Sequence, residues 1–227
     1  MKMRKRTFRL LVVMPVVLLL ISVLLVTLLR WVPVGYTPVM LKRAFQSGGR
    51  EGFRPRQEWV SLEDISPELI KAVIAAEDQR FFQHHGFDFE EIGVMWRSHK
   101  RKGTPVRGCS TLSQQTAKNV FTFGTRSWVR KVAESYWTAL IELIWGKRRI
   151  LEVYLNVAEW GHNLYGAEMA SLEYFGIPAA NLDPAQASAM AVCLPRPLQE
   201  RPDSLSRDSK VHRRKIAEQL PSIRLYH

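Results

Sequence analysis

Hydrophobic and polar positions divide this chain into an apolar opening and a longer amphipathic remainder. Leu10 to Leu29 carries no charge and is almost entirely Leu, Val, Ile and Met. About 20 apolar residues span a bilayer core as a helix, and Pro15 is compatible with such a span. A cleaved signal peptide would have a shorter apolar region, roughly 7–15 residues, followed by small residues. Here the run ends in Leu29-Arg30-Trp31, so a retained transmembrane helix is expected over 10–30. The stretch 31–59 holds Pro33, Pro38, Gly48, Gly49, Gly52 and Pro55 and reads as a linker or loosely folded lead-in. From Val60 the apolar spacing is mainly that of helices, with few alternating runs of the strand type. Ser66-Pro67 and Asp183-Pro184 each read as a cap followed by a first-turn proline. The expected domain, 60–227, is mainly α.

Charge adds a direction to this plan. Lys2, Arg4, Lys5, Arg6 and Arg9 precede the apolar run, so residues 1–9 form a cytoplasmic basic tail and the rest of the chain is exported. Trp31 then falls at the outer interface. The formal net charge of +12 over 227 residues is therefore expected to meet phosphate as lipid headgroups or a phosphorylated substrate, and no nucleic acid. Cys109 and Cys193 are too far apart in sequence to establish a bridge, and no CxxC or HxxxH spacing points to a metal.

Candidate chemistry lies in three segments. In the helix after Ser66, Ile70, Val73 and Ile74 form a buried stripe that continues onto Glu77. Burial raises a carboxylate's pKa and makes it a better proton acceptor. The competing reading is a Glu paired with Arg80. His84, in EDQRFFQHHG, is placed either to orient a carboxylate or as hydrogen-bonded scaffold. The run GCSTLSQQTAKN, Gly108 to Asn119, sets a turn before a helix on which Thr111, Gln115 and Lys118 share one stripe. Ser110 or Thr111 is a natural N-cap, and the free N–H groups beyond it favour an anion. In the third segment Arg130 and Lys131 stand four and three residues before Glu134, which alone fits a helix-surface ion pair. The intervening Phe87 to Gly103 mixes aromatic and basic residues and suits either a membrane-surface element or an amphipathic core helix. Arg207, Lys210, Arg213, Arg214 and Lys215 read as a solvated helix face that also suits anionic lipid.

Together, the blocks EDQRFFQHHGFD, GCSTLSQQTAKN, RKVAE and KRRILEVYLNVAEWG closely resemble the peptidoglycan glycosyltransferases, glycosyltransferase family 51. The resemblance runs from about Trp59 to Pro197 and implies a lysozyme-like helical domain. The absence of a following transpeptidase-sized domain points to the monofunctional biosynthetic type. It implies that Glu77 is the base that deprotonates the 4-hydroxyl of lipid II, the donor being a growing glycan on undecaprenyl diphosphate, with inversion to a β-1,4 link. It gives Lys118, Arg126, Arg130 and Lys131 to the diphosphate and makes Glu134 the second essential carboxylate. Thr111, Gln114, Gln115 and Asn119 match the substrate-binding second motif, and Asp78, Phe81 and His84 support the first. A divalent cation, Mg²⁺ or Mn²⁺, is implied as a cofactor, with Glu134 its candidate ligand. The implied setting is the bacterial inner membrane with the domain periplasmic, alongside membrane lipid and cell-wall synthesis or division proteins. Cys109 departs from the family's glycine, and a position needing positive φ would penalise it.

Two other readings remain in view. A muramidase or lytic transglycosylase would draw Glu77 and Glu134 as its carboxylate pair, but has less need of the clustered cations. A membrane-anchored assembly protein with an unused site is the non-enzymatic alternative.

Overall fold

The structure, a computed structural model, describes residues 9–46, 55–103, 110–123 and 127–225. Helix dominates, as the apolar spacing predicts. After a π-helical turn at Arg9–Val13, α1 spans Met14–Leu29, and Leu11–Leu29, with mean hydropathy 3.1, is long and apolar enough to cross a membrane. Pro15 sits in its first turn, directly after the π-helical turn.

Most α1 side chains face outward, but Ser22 and Val26, one helical turn apart, are buried. They lie against α6 (Trp128–Ile144). Ser22 Oγ bonds the Tyr136 hydroxyl, and the Trp145 indole N–H donates to the Val26 carbonyl at 2.7 Å. Arg149 then ties down the exit of α1 by donating to the Leu29 and Val32 carbonyls at 2.9 and 2.6 Å. The apolar helix is thus docked on the domain along its C-terminal half.

Within the expected lead-in, Pro38–Gln46 is a helix, α2. Thr37-Pro38 repeats the cap-proline signal, with Thr37 Oγ1 accepting from the Met40 N–H at 3.2 Å, and Met40 is fully buried. Loose structure fails as an expectation here because one apolar side chain enters the core. A small sheet follows: β1 (Arg56–Gln57) pairs in parallel with β3 (Leu164–Tyr165), which is antiparallel to β2 (Glu159–Gly161), in the order β1-β3-β2.

The core centres on α3 (Pro67–Glu77), where the expected Ile70, Val73 and Ile74 are buried with Leu69. Ser66 caps it, accepting from Glu68 N–H at 3.2 Å and donating to the Leu182 carbonyl at 2.7 Å. Asp183 forms a capping box with Gln186 at the start of α9 (Pro184–Ala191), whose alanines let it lie close to α3. Around these stand α4 (Phe89–Lys102), α5 (Leu112–Phe121), α7 (Gly146–Val157), α8 (Ala167–Phe175) and α10 (Arg207–Gln219). On α7, Ile150 through Val157 apart from Glu152 are buried. At about 1.5–3 kcal/mol per large apolar side chain, this helix is a main contributor to the core.

Candidate functional site

The site forms where α3 ends. Asp78 breaks the helix with extended backbone, φ −163° and ψ 75°, and its buried carboxylate accepts from His84 Nε2 at 2.9 Å and from the Leu112 N–H at 3.0 Å. An anion at the first turn of α5 meets the positive end of that helix. His84 therefore does orient a carboxylate. Thr111 is the N-cap of α5 and shares a capping box with Gln114, while its hydroxyl donates to the Gly86 carbonyl at 2.7 Å. Gly86 lies at φ +88°, and a Cβ there would stand 2.9 Å from Thr138 Cγ2, so the turn admits only glycine. Phe81 is fully buried beneath Lys147, whose Nζ lies 4.4 Å from the ring centroid.

This stitching fixes Glu77 beside α5. Glu77 Oε2 accepts from Gln115 Nε2 at 2.6 Å, while Oε1 is buried with no hydrogen-bond partner among the described residues. Burial pushes this carboxyl up, opposed by the Gln115 hydrogen bond and the Lys118 charge and reinforced by Asp78. The competing partner does not engage it. Arg80 turns to Asp88, at 3.2 Å, and to Glu90.

Glu134, on α6, is 2% exposed, which a helix-surface pair is not. Arg130 holds its Oε2 and Lys131 its Oε1, the latter at 2.9 Å, and Ser127 caps the helix by accepting from the Arg130 N–H. Lys118 feels both Glu134 and Glu77, and burial outweighs their charges to lower its pKa. A cleft of about 560 Å³ is lined by Gln115, Lys118 and Asn119 from α5, Lys42 and Arg43 from α2, and Glu159. Glu77 opens onto a second hollow, about 330 Å³, shared with Asp78, Arg80, Glu90 and Glu91. The Gln115–Glu77 bond thus links a residue of the cationic cleft to one of the smaller hollow.

The structure therefore brings Glu77, Gln115 and Lys118 together, with Arg130, Lys131 and Glu134 on the facing helix. Arg126, Gly108 and Cys109 lie outside the described residues. Thr111 and Gln114 are turned inward: both are buried and capped on each other, so their part is to build α5. Glu134 does not fit a protein-held cation, because both its oxygens meet cationic side chains and no group of three His, Cys, Asp or Glu suited to a metal occurs among the described residues. Cys193 is a buried free thiol that desolvation pushes up to about 12.

Sequence reading missed three contributors. Lys42 and Arg43 were hidden by the apparent linker, and Arg43 meets Glu159 across the cleft at 2.8 Å. Tyr154, inside the matched KRRILEVYLNVAEWG block, donates its hydroxyl to Gln115 Oε1 at 3.3 Å. The segment at Phe89–Lys102 is not a core helix: Phe89, Val94 and Trp96 are more than half exposed.

The class is that of a mainly helical domain with a buried carboxylate, a facing cation cluster and an N-terminal helix long and apolar enough to cross a membrane. The family model described as Transglycosylase matches residues 46–220, and the chain belongs to that family of glycosyltransferase enzymes. It is 49% identical over 208 residues to the biosynthetic peptidoglycan transglycosylase of Bdellovibrio bacteriovorus, covering 89% of this chain and 82% of that one. It is similar to proteins of the same name from Stutzerimonas stutzeri, 49% over 183 residues (80% and 75% of the two chains), and Rhodospirillum centenum, 47% over 186 residues (82% and 78%).

Proposed function

We propose that this protein polymerises the glycan strands of peptidoglycan. The donor is the growing glycan on undecaprenyl diphosphate and the acceptor is lipid II. The acceptor 4-hydroxyl gives its proton to Glu77, its oxygen bonds the donor's anomeric carbon from the opposite face, and the bond from that carbon to the diphosphate oxygen breaks with its electron pair. The product is a β-1,4 link, and undecaprenyl diphosphate leaves. The observation that carries this reading is the buried Glu77 Oε1, a lone-pair acceptor without a hydrogen-bond partner among the described residues, on a carboxyl whose raised pKa suits it to take a proton.

Fixed positive charge is needed where the diphosphate departs, and Lys118 with Arg130 and Lys131 supplies it, joined by Arg126. Glu134 acts by holding Arg130 and Lys131 in place. That engagement also disfavours a muramidase, whose second carboxylate must be open to substrate or water. The anchor lies in the bacterial cytoplasmic membrane with its basic end inside, the domain outside, and the exposed apolar residues of α4 and α6 against lipid. Cell-wall synthesis or division proteins are the expected neighbours.

The test is to incubate the detergent-solubilised full chain with lipid II. Muramidase-sensitive polymer and free undecaprenyl diphosphate are expected; a folded protein that yields neither overturns the reading. Release of muropeptides from purified sacculi would establish cleavage in its place.

A further inference from the structure

We propose that Tyr154 is a positioning residue for the base: its hydroxyl fixes the orientation of the Gln115 amide, and that amide sets the proton affinity and aim of Glu77. The inference rests on the reading of Glu77 as the base.

The hydrogen-bond inventory around Gln115 supports only one orientation. A primary amide has two N–H donors on one side and one oxygen on the other. Nε2 is committed twice, to Glu77 Oε2 at 2.6 Å and to the Ser110 carbonyl at 3.3 Å. Oε1 faces the Tyr154 hydroxyl at 3.3 Å. A flipped amide would turn its oxygen onto a carboxylate and a carbonyl, and its NH₂ toward a phenol, so three contacts would be lost or reversed together. Tyr154 is 2% exposed, and its ring is held within the buried run of α7. Its phenol is pushed well up by burial and by the neighbouring Glu77 charge, so it remains a donor throughout the range in which the enzyme works.

The consequence for Glu77 has a definite sign. A hydrogen bond donated to the charged form of an acid favours that form. Around Glu77 the charged and titratable groups among the described residues are Lys118 from α5, Asp78 beside it in the chain, Tyr154 from α7, and Arg80, Glu90 and Glu91 around the shared hollow. With the Tyr154 hydroxyl gone, Gln115 Oε1 loses its partner and the amide is held only through its two N–H bonds, so it is less firmly aimed at Glu77. The bond from Gln115, the strongest local stabilisation of Glu77 as a carboxylate, is weakened, and the Glu77 pKa rises further.

A double-mutant cycle tests this on the full chain in detergent with lipid II as substrate. Tyr154→Phe should lower kcat roughly twofold to tenfold, the factor one neutral hydrogen bond supplies, and leave KM nearly unchanged. The acid limb of the pH–rate profile should move to higher pH. In a Gln115→Ala background the same substitution should have no further effect, because the residue acts only through that amide. Wild-type kinetics in Tyr154→Phe would overturn the inference, as would an equal loss in both backgrounds, which marks simple packing. If Tyr154→Phe does not fold, 3-fluorotyrosine at 154, a stronger donor of nearly equal size, should move the acid limb to lower pH; an unmoved limb also overturns it. Glu77→Gln is run alongside. Full turnover by that variant removes the base reading itself, whereas an inactive Glu77→Gln with an additive cycle removes only the role of Tyr154.

Discussion

The Asp78 carboxylate accepts a hydrogen bond of 3.0 Å from the Leu112 backbone N–H, a contact that spans 34 positions of sequence and ties the turn after Glu77 to the first residue of α5. The same carboxylate holds His84, so two donors from two motifs converge on one buried acid. Asp78→Ala would leave both without a partner, at about 1–3 kcal/mol for each buried donor. The expected outcome is a clear loss of stability in chemical denaturation, with polymerisation falling further than folding does, because Glu77 is the neighbouring residue. Unchanged denaturation midpoints would show that water replaces the carboxylate at no cost.

Glu77 should trade stability for chemistry. Its pKa is raised in the folded state, chiefly by burial, so folding binds its proton more tightly than the unfolded chain does. The contribution of this group to stability is therefore full below the unfolded carboxylate pKa and is lost as pH rises through the folded one. Glu77→Gln, which cannot ionise, should unfold at a higher temperature than the wild type near neutral pH and at a similar temperature in acid. Polymerisation should fall by roughly 10²–10⁴-fold, the usual worth of a general base. Thermal unfolding at two pH values, beside a lipid II assay, checks both halves.

Much of this site was legible in the chain because it depends on local spacing. The stripe Ile70, Val73, Ile74 and Glu77 has helical period, Ser66-Pro67 and Thr111 are caps, and Arg130, Lys131 and Glu134 are neighbours on one helix. Contacts that depend on tertiary packing were not legible. No sequence interval relates Tyr154 to Gln115 or Arg43 to Glu159, and the prolines and glycines of 31–59 concealed a helix stabilised by the burial of Met40. The burial of Glu134 was equally hidden. An i, i+4 pair looks the same in sequence whether it faces solvent or lies under a neighbouring helix.

That burial makes Glu134 a sharper target than its spacing implies. Glu134→Gln keeps the shape but leaves Arg130 and Lys131 facing Lys118 without the carboxylate that pairs with them. Removing one partner of a fully buried pair costs about 3–5 kcal/mol. Here the Arg130 and Lys131 side chains are 22% and 39% exposed, so water screens them and the loss should be smaller, about 1–3 kcal/mol. Raising the salt concentration should restore part of the stability but not the polymerase activity, because screening calms the cations without returning them to their positions. Equal recovery of both would reduce Glu134 to bulk electrostatics.

The apolar N-terminal helix is held on the domain by polar contacts that can be removed one at a time. Ser22 Oγ already donates its only hydrogen to the Leu19 carbonyl at 2.8 Å, so in its bond with Tyr136 the phenol must be the donor. Tyr136→Phe therefore deletes that bond without stranding a donor, and Trp145→Phe does the same at the Val26 carbonyl, which keeps its bond from Arg30 N–H. Such bonds in a membrane average about 0.6 kcal/mol, so neither change should unfold the domain. Together they should let α1 tilt away from α6, the helix that carries Arg130, Lys131 and Glu134. With Cys109 and Cys193 replaced by alanine, spin labels at the exposed positions Leu20 and Leu143 should give a narrow distance distribution in the parent protein and a broad one in Tyr136→Phe, Trp145→Phe. A distribution that stays narrow would mean that apolar packing at Val26 alone holds the two helices in register.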